Sequence, residues 1–328
     1  MTDYRERGEA EAAFLQELER IGEGYTDRIR KNVPLAQYTT MRVGGAADLL
    51  FEPKSLTEAA LVYKAALCSR IPCMILGNGS NLVISDDGIE GLVIRLGESF
   101  AQIWTERDPE QDGATLVHAY AGALLSKTAM TCAKEGLAGA EFAAGIPGSV
   151  GGAVHMNAGA YGGQMSDIVW RTVYLDANTG DLSVLTGDQH AFSYRDSFFL
   201  RNNGVILSVI LRVFPGDRDA ILSRIAELSQ KRSASQPLTM PSAGSVFRRP
   251  EGYFAGTLIQ ECGLKGLSEG GAAVSEKHAG FIVNTGNATA TDVWRLMNRV
   301  RDEVYNRRGV RLEPEILFVG RGFTEGSR

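Results

Sequence analysis

Two stretches of this chain are stripped of bulky side chains in a way that suits a phosphate-bearing ligand. Gly77–Asn81 reads GNGSN directly after the apolar run IPCMIL, so small residues offer successive backbone N–H groups where a strand should end. Such a nest can hold a pyrophosphate without any lysine. A plain strand-to-strand turn is the competing reading, and the pentapeptide alone leaves both open. Glu141–Gly163, EFAAGIPGSVGGAVHMNAGAYGG, repeats the theme. It lacks the Gly-Lys-Ser/Thr ending of a P-loop and the strand–GxGxxG–helix setting of a Rossmann turn. A glycine costs roughly 0.5–1 kcal/mol relative to alanine inside regular structure. The cluster therefore implies tight turns, positive φ angles or a ligand lying against main chain. Two lysine-free loops, roughly 65 residues apart, favour one extended dinucleotide-like ligand between two lobes.

Four polar groups add chemistry. Arg195, in FSYRDSFF, carries a guanidinium fork suited to a carboxylate or phosphate; a surface salt bridge is the alternative. Ser245, in PSAGSVFRRP, is not in a GxSxG setting, and none of His118, His155, His190 and His278 has a triad context. A nucleophilic serine is therefore not expected, which leaves a turn residue or a positioned hydroxyl proton donor. Arg248 and Arg249 could serve phosphates or form a solvated pair. Glu313 and Glu315 flank Pro314, so on a strand both carboxylates share one face, with the proline marking an edge or strand end.

The elements that must carry these groups are legible in part. Residues 10–22 read as an amphipathic helix with Phe14, Leu15, Leu18 and Ile21 on one face. Ser55 followed by Glu58 predicts a capping box and a helix. LLSKTAMTCAKEG predicts a helix stopped by Gly136, and Asn178-Thr179-Gly180 predicts a hairpin turn. VILSVILRVF is an apolar strand, DRDAILSRIAELSQKR a helix, and the turn-rich SASQPLTMPSAGS a candidate boundary. TATDVWRLMNRVRDEVYNRRG predicts a helix with the stripe Val293, Met297, Val300 and Val304, Thr291 as N-cap and Gly309 as stop. VRLEPEILFVG predicts a last strand. Crossovers mixed with hairpins argue for α+β organisation.

Bulk properties exclude some classes. With 328 residues, 44% hydrophobic and 22% charged, the chain can bury substantial cores in two or three domains. A net charge of −5 exerts no general pull on nucleic acid or anionic membrane. The charged N-terminus lacks the form of a secretory signal, and no apolar run is long enough for membrane insertion. Cys68, Cys73, Cys132 and Cys262 form no CxxC pair and have no histidine at metal spacing. They imply a reducing cytoplasm and no metal site.

The order of motifs resembles the UDP-N-acetylenolpyruvoylglucosamine reductase (UDP-N-acetylmuramate dehydrogenase) family: TTMRVGGAAD (39–48), GNGSNLV (77–83), GIPGSVGGA…MNAGAYG (145–162), YRDSFF (194–199), PSAGSVFRRP (241–250), KHAGFIVN (277–284) and LEPEI (312–316). The resemblance covers residues from about 35 to 320. It implies an α+β fold: a two-lobed FAD-binding region of the vanillyl-alcohol-oxidase (PCMH) type, plus a smaller substrate-binding domain. The implied limits are a helical extension (1–34), a flavin region (35–216, split near 98), a substrate domain (217–320) and a tail (321–328). FAD, held non-covalently, would lie against Gly77, Asn78, Gly79, Ser80, Asn81 and Leu82, and against Gly145, Ile146, Pro147, Gly148, Gly152 and Ala153. NADPH would be the co-substrate and a UDP-sugar the substrate, with oligomeric state left open. The catalytic trio falls on Arg195, Ser245 and Glu315. Asn157, Tyr161, Arg248, Arg249, Lys265 and His278 are the implied substrate contacts.

Only 49 residues, 196–244, separate Arg195 from Ser245, and a strand and a helix take up most of them. The chain thus resembles the subgroup without the extra tyrosine loop that closes over the sugar nucleotide. Two other readings remain at this stage. One is a flavin oxidase of a sugar or alcohol with the same fold, for which His155, directly after the second loop, is a candidate tether. The other is a flavin- or nucleotide-binding sensor without turnover.

Overall fold

A computed structural model describes residues 4–323, an α+β chain that divides into two compact units. The first takes the chain up to Arg30, then Leu50–Asn78 and Gly91–Lys231; the second takes Lys31–Leu49, Gly79–Glu90 and the chain from Arg232 onward. This differs from the division at 216/217 suggested by the sequence. The reason is packing: Met41, Val43 and Val83 are buried in the second unit's core with Phe247, Val293 and Ile316. The early segments 31–49 and 79–90 therefore belong with the C-terminal part. The part of the expected tail beyond Phe323 lies outside the described residues.

In the first unit, helix α1 (Tyr4–Ile21) is longer than the 10–22 span and packs on α2 (Leu56–Ser69). Phe14 and Leu18, one helical turn apart, are fully buried, whereas Leu15 and Ile21 are half-buried. The helix thus packs against the body of this unit. Ser55 caps α2 by accepting the Glu58 N–H at 3.1 Å. The reciprocal half of the predicted box is replaced. The Glu58 carboxylate accepts the Lys54 N–H at 2.7 Å and pairs with Arg28 at 2.9 Å, and Arg28 chiefly holds it below the usual carboxylate range. The following strand, Cys73–Leu76, runs parallel to Ile89–Arg95 and delivers the chain to Gly77.

The unit's main sheet is antiparallel, in the order Leu182–Thr186, Val169–Leu175, Val205–Pro215, Thr115–Tyr120, Ile103–Arg107. Val205–Pro215 is central and buried along nearly its whole length, which is why it reads as an unbroken apolar run. The expected hairpin joins Val169–Leu175 to Leu182–Thr186. Asp176 Oδ1 accepts the N–H groups of Asn178 (2.9 Å) and Thr179 (3.0 Å), and Gly180 takes φ +70°. Helices α3 (Leu125–Lys134) and α4 (Val150–His155) pack together, with α4 against the central strands; α5 (Phe198–Asn202) and α6 (Arg218–Ser235) follow.

The second unit holds an antiparallel sheet in the order Ser242–Ser245, Phe281–Asn284, Ala272–Val274, Ser268–Glu269. Helix α7 (Ala255–Glu261) and helix α8 (Ala290–Arg308) complete it. The predicted stripe of α8 is buried, joined by Ala290 and Leu296. Its N-cap is Thr289 rather than Thr291. Thr289 has an acid three residues on, and the two close a box with Asp292 (3.0 Å each way). Thr291 instead bonds to Asp86. The last strand is shorter than expected: only Leu317–Val319 is regular, pairing in parallel with Leu82–Ile84.

Candidate active site

The start of the first glycine-rich loop meets the second loop in the first unit. A Cβ added to Gly77 would stand 2.4 Å from Ser149 Oγ, so only glycine lets the first loop approach the second. Ser149, which the sequence reading passed over, caps α4 by accepting the Gly152 N–H at 3.3 Å; the Ser-x-x-Gly spacing ahead of a helix was the available signal. The N–H groups of Val150 and Gly151 donate to Ala123 O (2.8 Å) and Ala121 O (2.9 Å). The first turn of α4 is therefore satisfied by protein. Ala153 is buried with its N–H on Ser149 O, so it and Gly152 support the loop from within the helix.

The loop ahead of α4 is different. Gly148 and Ser149 are buried, yet their N–H groups, like those of Gly77, Asn78 and Gly145, donate to no group among the described residues. Buried amides are rarely left without an acceptor. A diphosphate supplies such acceptors, and the residues present therefore fit FAD. Ile146 spends its N–H on Ala143 O, Pro147 has none, and Gly148 adopts φ +118°. In the second unit, Gly79 sits at φ +57°, where an added Cβ would stand 2.4 Å from Tyr38 O, and its carbonyl accepts the Thr40 N–H at 3.2 Å. Ser80 is half-buried. Asn81 is tied to the C-terminal segment, its Nδ2 donating to Glu315 O at 3.1 Å and its carbonyl accepting from Leu317, and Leu82 opens the parallel strand.

Arg195 belongs to the first unit. It occupies a two-residue turn closed by Ser193 and Asp196, which exchange both backbone hydrogen bonds (3.1 and 3.2 Å). It adopts φ +54°, a region costly for a branched-out side chain and held here by its surroundings. Asp196, unremarked in the sequence, pairs with Arg201 and accepts the Ser197 N–H, while Ser197 Oγ donates to His155 O at 2.6 Å. The Arg195 Nη2 donates to Gly159 O at 3.2 Å, which ties the guanidinium to the Asn157–Gly163 loop. Asn157 is buried at φ +46°, with Nδ2 on Ser193 O (2.9 Å) and Oδ1 accepting the Ser166 N–H (2.9 Å). It fastens that loop to the arginine turn. Tyr161 stands exposed at the loop tip.

Ser245 and Glu315 lie on two paired segments of the second unit, with Val246 rather than Ser245 opposite Glu315. The Glu315 N–H donates to Val246 O at 2.7 Å, and the Arg248 N–H to Glu313 O at 2.9 Å. Phe247 thus faces Pro314 at a position of the ladder that calls for no proline N–H, which reconciles the proline with pairing. On its other side Ser245 pairs with Phe281, and Val246 donates to Gly280 O at 2.9 Å. Ser245 is exposed and Glu315 half-buried. Arg249 is exposed, its guanidinium 4.0 Å above the Phe254 ring. His278 Nδ1 accepts the Gly280 N–H at 3.1 Å, which leaves Nε2 to carry the proton. Burial, and to a lesser degree the Lys265 cation, push its pKa below the ordinary imidazole value. His278 is therefore held as a neutral imidazole with its proton on Nε2.

The fold and the free amides define a flavin-binding oxidoreductase. An FAD-binding domain family model matches residues 47–186, and the model of the UDP-N-acetylenolpyruvoylglucosamine reductase C-terminal domain matches residues 236–319. The UDP-N-acetylenolpyruvoylglucosamine reductase of Agathobacter rectalis is 46% identical over 292 residues, 88% of this chain and 92% of its own length. That of Latilactobacillus sakei is 45% identical over 296 residues, 90% and 95% of the two chains. The crystal structure of the enzyme from Thermus caldophilus superposes with a TM-score of 0.75 at 36% identity, covering 88% of this chain and 99% of that one. The chain belongs to the UDP-N-acetylenolpyruvoylglucosamine reductase family.

Proposed function

We propose that this protein reduces the enolpyruvyl ether of UDP-N-acetylglucosamine to UDP-N-acetylmuramate, with NADPH as reductant and FAD as cofactor, in peptidoglycan synthesis. The observation that carries the reading is the pair of buried residues Gly148 and Ser149, whose amides donate to no group among the described residues, in a chain 46% identical to a named reductase over most of its length. We place the reaction in the cytoplasm, in service of cell-wall growth, shape and division. The free state of Cys68, Cys73, Cys132 and Cys262 supports that placement. No helix among the described residues is long and apolar enough to cross a membrane.

FAD, when bound, would supply the two-electron chemistry that links oxidation of NADPH to reduction of the enolpyruvyl double bond. The protein's part is to steady the charge and deliver a proton. Hydride addition leaves negative charge spread over the neighbouring carbon and its carboxylate, and the Arg195 guanidinium stabilises it as it develops. Ser245 gives the proton to that carbon. A serine hydroxyl is a weak acid, so it serves only because the carbanionic species is strongly basic. Help of this kind is typically worth ~10²–10⁴ in rate. Glu315 either holds Arg195 or shares a proton with the substrate carboxyl. Arg248, Arg249, Lys265 and the neutral His278 receive the diphosphate, and Tyr161 contacts substrate from a loop that Asn157 holds in place.

Anaerobic stopped-flow tests this directly. NADPH should bleach the flavin band, and the enolpyruvyl UDP-sugar, added second, should restore it. A reduced flavin that the sugar nucleotide leaves bleached would overturn the reading. FAD should appear in the supernatant after denaturation, whereas a tethered flavin would point to an oxidase.

A further inference from the structure

Tyr253 and Phe254 are adjacent aromatic residues that the catalytic reading leaves unused. They are 49% and 60% exposed. They end a closed turn: the Tyr253 N–H donates to Pro250 O at 3.1 Å, and Arg249 Nε donates to Tyr253 O at 3.4 Å. The Arg249 guanidinium covers one face of the Phe254 ring. Phe254 is the N-cap residue of α7, yet its side chain caps nothing, whereas Ala255, Leu258 and Ile259 beyond it are buried and anchor the helix. The turn is coupled to Ser245 by short steps. A Cβ on Gly256 would stand 3.1 Å from His278 Cε1, His278 bonds to Gly280, and Gly280 bonds to Val246. An aromatic pair backed by a cation thus stands on the same framework as the proton donor.

We infer that Phe254, flanked by Tyr253, is the seat for the pyrimidine ring of the UDP-sugar. The assignment rests on a UDP-sugar being the substrate. Charge selects the occupant: Arg249 can meet a phosphate beside the ring, and Arg248 and Lys265 are half-buried cations of the same unit. A planar base stacks on an aromatic face without directional hydrogen bonds. UDP carries both groups, joined by one ribose.

The test uses holoenzyme with unchanged FAD content. In Phe254→Ala, KM for the enolpyruvyl UDP-sugar should rise about tenfold to a hundredfold, with a much smaller change in kcat. Calorimetric affinity for UDP should fall by a similar factor, inhibition by inorganic pyrophosphate should stay the same, and Phe254→Trp should restore both constants. Unchanged UDP affinity would overturn the assignment. Equal weakening of UDP and pyrophosphate would also overturn it, because Phe254 would then only prop Arg249. UDP binding needs no turnover. A wild-type enzyme that binds UDP through Phe254 but fails to reduce the sugar nucleotide would sink the proposed reaction and leave this seat standing.

Discussion

Arg195 and Ser245 are placed by opposite means. The arginine is forced into a left-handed backbone position by a two-residue turn, and its guanidinium is tied to the Gly159 carbonyl. The serine sits at the end of a short strand whose register shifts between Ser242 and Ser245, paired with Phe281, and it is exposed. Ser245→Ala removes one hydroxyl at an exposed position and disturbs no core. It should leave flavin reduction by NADPH nearly intact and slow reoxidation by the enolpyruvyl substrate at least ~10²-fold. Single-turnover absorbance separates the two halves, and equal loss in both would count against a proton-donor role. Arg195, Ser245 and their neighbours could be named from motif order, whereas Asp196 and Ser149 could not. Their roles come from what they touch, and a lone Asp or Ser carries no such signal.

At the level of elements, the loop before α4 depends on close approach. Gly77→Val would drive its side chain into Ser149 Oγ, displace the α4 cap and swing the Gly148 and Ser149 amides away. FAD retention should weaken about tenfold or more, the equivalent of losing one or two charge-assisted hydrogen bonds. The flavin-to-protein absorbance ratio of the purified variant reads this out, and full retention would mean the loops are merely turns. Elements with strong local signals were legible: the α8 stripe, the Asp176 turn and the strand 205–215. Errors clustered where two polar residues competed for one role. Thr289 and Thr291 both suit an N-cap, and the winner was decided by Asp292 and by Asp86, 205 residues from Thr291 in sequence. Glu58 had two suitors, and Arg28 together with Lys54 took it from the box.

Across the whole molecule, His155, His190 and His278 are held below the ordinary imidazole range by burial. His190 is fully buried between Thr172 Oγ1 and Gly187 O, at 2.8 Å each. The unfolded chain binds protons at these sites more readily than the folded one. The stability they contribute is therefore complete above about pH 6.5 and is lost as pH falls toward and through their lowered values. The thermal midpoint should drop between about pH 7 and pH 5.5, before most carboxylates titrate. A midpoint flat across that interval, measured at constant ionic strength, would contradict the burial of these rings as neutral groups.

By itself the sequence determined the α+β class, the two amide-bearing loops, the helices with a 3.6-residue stripe and the residue types able to handle a carboxylate and a proton. These are local properties, read over windows of a few to twenty residues. Only the tertiary structure decided which unit claims residues 31–49 and 79–90, that Gly77 lies against Ser149, and that the segment carrying Glu315 pairs with the one carrying Ser245. Those outcomes depend on burying apolar surface and pairing backbone groups between segments tens to hundreds of residues apart, and no local pattern records that choice.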